Sequence, residues 1–251
     1  MSLPSPAWPH DLFADQVVVV TGSSRGIGFG IARAFLAVGA RVVLTSRLPV
    51  ALDSVLEPDE SVRARHIEAD LTDPTSIDAL MDRAREDGPL AVLVNNAGTQ
   101  PFGAIPQLSH ADWRHALDLN LTAAAACIRA AADRMPDGGA IVNIASTVAV
   151  RPTQSAAYSA SKAGLLALTA SAAQTYGPRL RVNAISPGLV ERPGLRDTWR
   201  DGVAAYEQAA PLGRIGTPAD IADAVVFLAS RFARWTTGAN LVVDGGRSVV
   251  R

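Results

Sequence analysis

The 251-residue sequence predicts an α/β domain, a doubly wound parallel sheet of about seven strands. Two observations carry that expectation. Short apolar runs recur along the chain, and most are followed by a stretch of helical periodicity. The runs are near-continuous Val, Ile and Leu rather than alternating, the pattern of strands buried on both faces.

In order, the strand runs are "QVVVVTG", "ARVVLTS", "VRARHIEAD", "LAVLVNN", "GAIVNIAS", "LRVNAIS" and "NLVVDGG". Between them lie "GFGIARAFLAVG", "DPTSIDALMDRARED", "ADWRHALDLNLTAAAACIRAAADRM", "YSASKAGLLALTASAAQTYG" and "TPADIADAVVFLASR". Asp73-Pro74 and Thr217-Pro218 pair a capping side chain with a proline at the first helical position, and Gly39 and Gly177 mark helix ends. No repeat, low-complexity tract or linker interrupts the alternation, so residues 14–251 read as one domain. Residues 1–13, "MSLPSPAWPHDLF", read as a loose leader. One segment breaks the rhythm. Residues 187–216 separate a strand from the next helix by far more than the usual 2–6 or so residues, as lids do.

Composition narrows the function. With 48% hydrophobic and 19% charged residues the chain can bury a large core. A formal net charge of −1 leaves no basic stripe for nucleic acid and no polybasic membrane patch. No run approaches the roughly 18 apolar residues of a membrane span, and no signal peptide is legible, so a cytoplasmic protein is expected. The single cysteine, Cys127, lies in "TAAAACIRAAA" and reads as inert helix filler in a reducing compartment. The four histidines show no metal-ligand spacing, so no metal site is expected. Trp113 and Trp235 read as packing beside helices, while for Trp199 and Tyr206 lid packing and substrate contact stay open.

"VVVVTGSSRGIGFGIARAF" is a strand, a glycine-rich turn and a helix. Gly22 suits a positive φ, and Gly26 and Gly28 let the backbone approach a pyrophosphate at the helix N-terminus. Ser24, Arg25 and Ile27 belong to the same turn. At the end of the second strand, where an acid often bonds the adenosine ribose, stand Ser46 and Arg47. A carboxylate there would repel a 2′-phosphate, whereas a guanidinium grips one through two donors. Arg25 lies on the same side. The expected coenzyme is NADP(H) rather than NAD(H).

Lys162 is the only lysine among 23 basic residues, four positions after Tyr158. Residues i and i+4 share a helix face, about 5–6 Å apart. At an effective dielectric of about 20, an ammonium at that distance favours a phenolate by about 3 kcal/mol, roughly two pKa units. The tyrosine is then poised to exchange a proton with an alcohol or ketone oxygen. A slim lysine also reaches ribose hydroxyls that an arginine fork would fit badly.

These motifs, in this order, resemble the short-chain dehydrogenase/reductase family over residues 14–247, and the resemblance implies a Rossmann-like fold. It implies that Asp70 and Leu71, in "DLT", lie where the family bonds adenine, and that Asn96, Ala97 and Gly98, in "NNAG", back the coenzyme. It also implies a tetrad of Asn120, Ser146, Tyr158 and Lys162. Asn120 would hold a water relaying protons to Lys162, and Ser146 would orient the substrate carbonyl. "SPG" resembles the turn at the nicotinamide, with Pro187, Gly188 and the Val190 backbone as contacts. "VVDGG" resembles the strand that packs on a partner subunit, implying a homotetramer. The family's threonine four residues past the glycine is Arg192 here, which either pairs with Glu191, Asp197 or Asp201 or grips the substrate. The implied activity is NADPH-dependent reduction of a ketone, or its reverse. The substrate would be a 3-oxoacyl thioester, keto sugar or secondary-metabolite ketone, in a pocket set by loops 99–106 and 147–155 and the lid. Two other readings are a non-catalytic NADP(H)-binding regulator and an epimerase or dehydratase of the wider superfamily. The second usually needs an extra substrate domain.

Overall fold

A computed structural model describes residues 8–250. Seven parallel strands form one sheet in the order β3-β2-β1-β4-β5-β6-β7. They are β1 Val17–Thr21, β2 Arg41–Ser46, β3 Ala64–Glu68, β4 Leu90–Asn95, β5 Ala140–Ile144, β6 Arg181–Pro187 and β7 Asn240–Val243. The main helices are α1 Gly26–Ala37, α3 Pro74–Ala84, α4 His110–Leu117, α5 Ala123–Ala132, α6 Ala156–Tyr176 and α9 Pro218–Ala229. Short helices α2 Pro58–Ser61, α7 Leu195–Thr198 and α8 Arg200–Ala209 complete the set.

The continuous apolar runs are explained by two separate cores. Val18 and Val20 of β1 face one layer with Ile31 and Phe35 of α1 and Val225 and Val226 of α9. Val17 and Val19 face the other, with Ile77, Leu80 and Met81 of α3 and Ile128 of α5. Successive strand residues point to opposite faces, so a strand covered on both sides is apolar at most positions. A polar side chain within it can be paired, as Asn95 Nδ2 is with Asn143 Oδ1 at 2.8 Å. Registers such as Thr21 opposite Thr45, Asn95 opposite Asn143 and Pro187 opposite Val243 bring the carboxyl ends to one edge. Because the order reverses between β1 and β4, that edge opens a crevice where ligands of such sheets bind.

Three expectations are corrected. The N-terminal segment is seated on the core from Trp8 onward; residues 1–7 of the expected leader lie outside the described residues. Phe13 is buried edge-to-face against Phe35 at 5.1 Å, and its N–H donates to Val38 O at 3.0 Å. Trp8 stacks beside Phe232 and donates to Asp223 Oδ1 at 3.4 Å. Trp235, in contrast, is 98% exposed and packs on nothing. The helical tract at 111–135 is broken by a π-helical turn, Asp118–Thr122, between α4 and α5. Cys127 is buried as expected, and burial pushes its thiol up to about 12, which leaves it unreactive.

The excursion after β6 folds into α7 and α8 around Leu195, Val203 and Ile215, with Leu189 and Tyr206 against them. Its base is closed by strand-like bonds: Glu191 N–H donates to Gly216 O at 2.8 Å and Gly216 N–H to Leu189 O at 2.9 Å. Tyr206 serves packing, its hydroxyl donating to Asp244 O at 2.9 Å, while Trp199 remains half exposed against Gly202.

Candidate active site

The crevice is a cleft of about 1080 Å³ whose walls come from the carboxyl ends of β1, β2, β4, β5 and β6. At the β1–α1 turn, Gly22 and Gly26 hold φ of +62° and +60°, a region that penalises any Cβ. A Cβ on Gly28 would lie 2.4 Å from Asn96 Nδ2, so the turn closes only with glycine. Asn96 holds it shut: its Nδ2 donates to Thr21 O and Gly22 O, each at 2.9 Å. Thr21 Oγ1 in turn accepts from Asn96 N and Ala97 N at 2.9 and 3.0 Å. Arg25, the N-cap of α1, provides no side-chain cap. The first-turn N–H groups are therefore left for another acceptor, and an anion such as a diphosphate fits that need. Ser24 and Ile27 line the same end.

Over β2, Ser46 Oγ donates to Leu48 O at 2.6 Å and lies 2.8 Å from His66 Nε2. A hydroxyl has one hydrogen, so with that donation made His66 must be the donor of the second bond. Arg25 and Arg47 both line the cleft, and neither guanidinium has a hydrogen bond or ion pair among the described residues. Asp70 Oδ1 accepts from Thr72 N at 2.9 Å and Thr72 Oγ1 at 2.7 Å. These bonds hold its carboxyl below the usual range, with Arg47 adding to the effect. Leu71, Ala97 and Gly98 also face the cleft.

On the β5 side, Ser146 and Tyr158 both line the cleft, with the Ser146 side chain near enough to the phenol to affect its proton affinity. Lys162, a turn further along α6, is buried and donates from Nζ to Ile144 O at 2.7 Å. The expected lowering of the phenol by Lys162 is corrected. Burial raises Tyr158 above its ordinary value, opposed by the nearby Ser146 side chain, and the ammonium stands 5.8 Å from the ring centroid. Burial instead lowers Lys162 to about 8. Desolvation of both groups in the cleft outweighs the Coulomb attraction between them.

Asn120 sits at the centre of the π turn, a feature that often marks functional positions. Its Oδ1 accepts from Thr99 N at 2.7 Å, and its Nδ2 donates to Thr99 O and Ser161 Oγ, each at 2.9 Å. Ser161 Oγ then donates to Tyr158 O at 2.8 Å. Both amide hydrogens are thus committed to protein, and only an oxygen lone pair is left for a water. Gly98 is required here as well, since its Cβ would lie 2.9 Å from Asn120 Oδ1 and 3.6 Å from Lys162 Nζ.

Pro187, Gly188 and Val190 complete the far wall. A Cβ on Gly188 would meet Tyr206 Oη at 2.1 Å, so glycine lets the lid seat directly on β6. The pairing of Arg192 with Glu191 is corrected: Glu191 binds Arg196 at 2.9 Å, and Arg196 also binds Glu207 at 2.9 Å. Arg192 has no ion pair among the described residues, Asp197 and Asp201 included. Gln100 lines the cleft from the 99–106 loop expected there, while His115 and Leu119 also line it and were not read from the sequence. An uninterrupted α-helical register across residues 111–135 hides which of them turn inward.

A family model described as Enoyl-(Acyl carrier protein) reductase matches residues 22–248. The chain is 41% identical to cis-4-hydroxycyclohexanecarboxylate dehydrogenase of Sinomonas cyclohexanicum, over 96% of this chain and 99% of that one. It is 39% identical to the L-tagatose-forming galactitol 2-dehydrogenase of Cereibacter sphaeroides, over 92% and 94% of the two chains. Among solved structures, a blue fluorescent protein from a metagenomic library, in complex with NADPH, superposes with a TM-score of 0.86. It is 35% identical, over 94% of this chain and 99% of that one. The chain belongs to the short-chain dehydrogenase/reductase family, and is an oxidoreductase of that family.

Proposed function

We propose that the protein interconverts a secondary alcohol and a ketone with NADP(H). The observation that carries this reading is that Ser146, Tyr158 and buried Lys162 line the same cleft as the glycine turn. A bound nicotinamide coenzyme supplies the hydride donor or acceptor. The chain does the rest. Its uncapped α1 terminus and Gly22, Gly26 and Gly28 receive the diphosphate, and Asp70 with Leu71 borders the adenine. Ser146 orients the substrate oxygen, and Tyr158 Oη gives that oxygen a proton in reduction or takes it in oxidation. Asn120, through Ser161, fixes the backbone at Tyr158 and so acts as a positioning residue. Lys162 has N–H groups beyond the one held by Ile144, and these serve the ribose hydroxyls.

Names of relatives support an alcohol on a ring or a polyol as substrate class: the hydroxycyclohexanecarboxylate and galactitol enzymes, and a 3beta-hydroxysteroid dehydrogenase of Eggerthella lenta at 37% identity. We place the protein in the cytoplasm as a homotetramer. No helix among the described residues is long and apolar enough to cross a membrane. The sheet ends in β7, an edge strand whose Leu241 and Val242 are more than a third exposed, a surface that pairing would cover. A monomeric mass by light scattering at micromolar concentration would contradict that assembly.

Coenzyme choice is the direct test of the cleft's adenosine end. No acid stands at the end of β2, and Arg47 is free to take a 2′-phosphate. Charge-assisted bonds are worth about 1.5–3 kcal/mol, so Arg47→Ala should raise the KM for NADPH at least about tenfold and leave that for NADH nearly unchanged. Steady-state kinetics with both coenzymes checks this; an equal loss with the two would remove Arg47 from the 2′-phosphate site.

A further inference from the structure

Arg192 occupies a place that neither of its expected roles explains. A second groove, of about 1000 Å³, runs between α1, the start of α9 and the first turn of the lid. Gly26, Glu191, Arg192 and Pro193 line both this groove and the coenzyme cleft, so these four residues form the wall between the two. Gly26 opens α1. The segment leaving β6 therefore crosses beside the turn whose N–H groups have no side-chain cap. Neither Ser146 nor Tyr158 belongs to that wall.

The backbone at Arg192 is fixed on both sides, with Glu191 N–H donating to Gly216 O at 2.8 Å and Leu195 N–H to Arg192 O at 3.1 Å. Its guanidinium has no partner among the described residues, and the adjacent acid is taken by Arg196. A cation on an anchored backbone, beside unused N–H donors and with its neighbouring acid neutralised, is arranged for an oxyanion. We propose that Arg192, beside the glycine turn, grips the diphosphate of the coenzyme. This rests on the coenzyme assignment above. A phosphoryl group and a substrate carboxylate offer the guanidinium the same oxygens; the shared wall with Gly26 favours the phosphoryl source.

The signature differs from that of Arg47. A diphosphate grip serves every coenzyme form alike, whereas a 2′-phosphate grip separates them. Calorimetric titration of wild type and Arg192→Thr with ADP-ribose, which carries the diphosphate but no nicotinamide and no 2′-phosphate, reads the contact without turnover. The Kd should rise at least about tenfold, with Arg192→Lys intermediate because it keeps the charge and loses the fork. Adenosine 2′-monophosphate should bind both proteins equally. An unchanged Kd for ADP-ribose overturns the proposal, most clearly if Arg192→Thr then loses efficiency only with carboxylate-bearing substrates. Equal weakening of the 2′-monophosphate would mean general damage to the cleft and overturns it too. If wild type binds neither ADP-ribose nor NADPH, the coenzyme assignment itself falls; if only the variant comparison fails, that assignment stands.

Discussion

Tyr158→Phe should bind NADPH as wild type does and lose catalysis by about 10²–10⁴-fold in kcat, the range that a placed proton donor contributes. The ring stays in its half-buried position and the change removes one oxygen. Ser146 Oγ accepts from Val148 N at 3.4 Å independently of the phenol, so the loop after β5 keeps that anchor. Because the phenol oxygen has no hydrogen-bond partner among the described residues, stability should change by less than about 1 kcal/mol. Direction matters as well. Burial raises the phenol, so at neutral pH Tyr158 carries its proton and is ready as an acid. Ketone reduction should hold through neutrality and decline in alkali, while alcohol oxidation, which needs the proton off, should gain rate as pH rises. Coenzyme titration by fluorescence together with kcat over a pH series checks both. Retention of more than about a tenth of wild-type kcat would mean that another acid serves.

Lys162→Met should lose coenzyme affinity and turnover together, yet gain or keep stability at pH 7. Depression of the ammonium from 10.5 to about 8 sets the cost of burying the charge on the order of 3 kcal/mol at most. Losing the bond to Ile144 O takes back about 1 kcal/mol, leaving a net gain of up to about 2 kcal/mol. Below pH 8 the folded and unfolded chains both carry the proton. Between about 8 and 10.5 only the unfolded chain does, so wild-type stability should rise with pH across that window, and the variant should lack this rise. Urea unfolding of the two proteins at pH 7 and pH 10 reads the difference; equal slopes would mean that Lys162 is not desolvated as placed. Arginine should not substitute. The ammonium lies in a space bounded by Gly98 and Asn120, where even a Cβ on Gly98 would be crowded. That confinement is the structural reason for a lysine in a chain that otherwise uses arginine.

How much of this was legible in the sequence varies with the range of the cause. Strands such as "VVVVT" could be read because burial on both faces leaves a signal in consecutive residues, and the two cores use alternate members of β1 as that requires. The glycine turn was legible because positive φ and close approach restrict Gly22, Gly26 and Gly28 locally. The π turn at Asn120 was not, since its apolar spacing resembles that of an ordinary helix. Tyr158 and Lys162 were found by spacing, but their proton affinities depend on desolvation, a property of the closed cleft. Trp8 and Phe13 looked loose because their partners, Phe232, Asp223 and Phe35, are distant in sequence. Arg192 was read by its neighbours in sequence, Glu191 above all, whereas the lid folds Arg196 onto that acid and leaves Arg192 beside Gly26.

The central claim is hydride transfer between NADP(H) and a carbinol carbon, with Tyr158 exchanging the proton. NADPH carrying deuterium at nicotinamide C4 tests it most directly, offered with a panel of cyclic ketones, keto sugars and 3-oxoacyl thioesters. The account predicts, for at least one of them, an alcohol bearing one deuterium on the carbinol carbon, formed by wild type at a far higher rate than by Tyr158→Phe. NADPH that binds in the cleft but transfers no deuterium to any of these ketones, or equal transfer by both proteins, would contradict it.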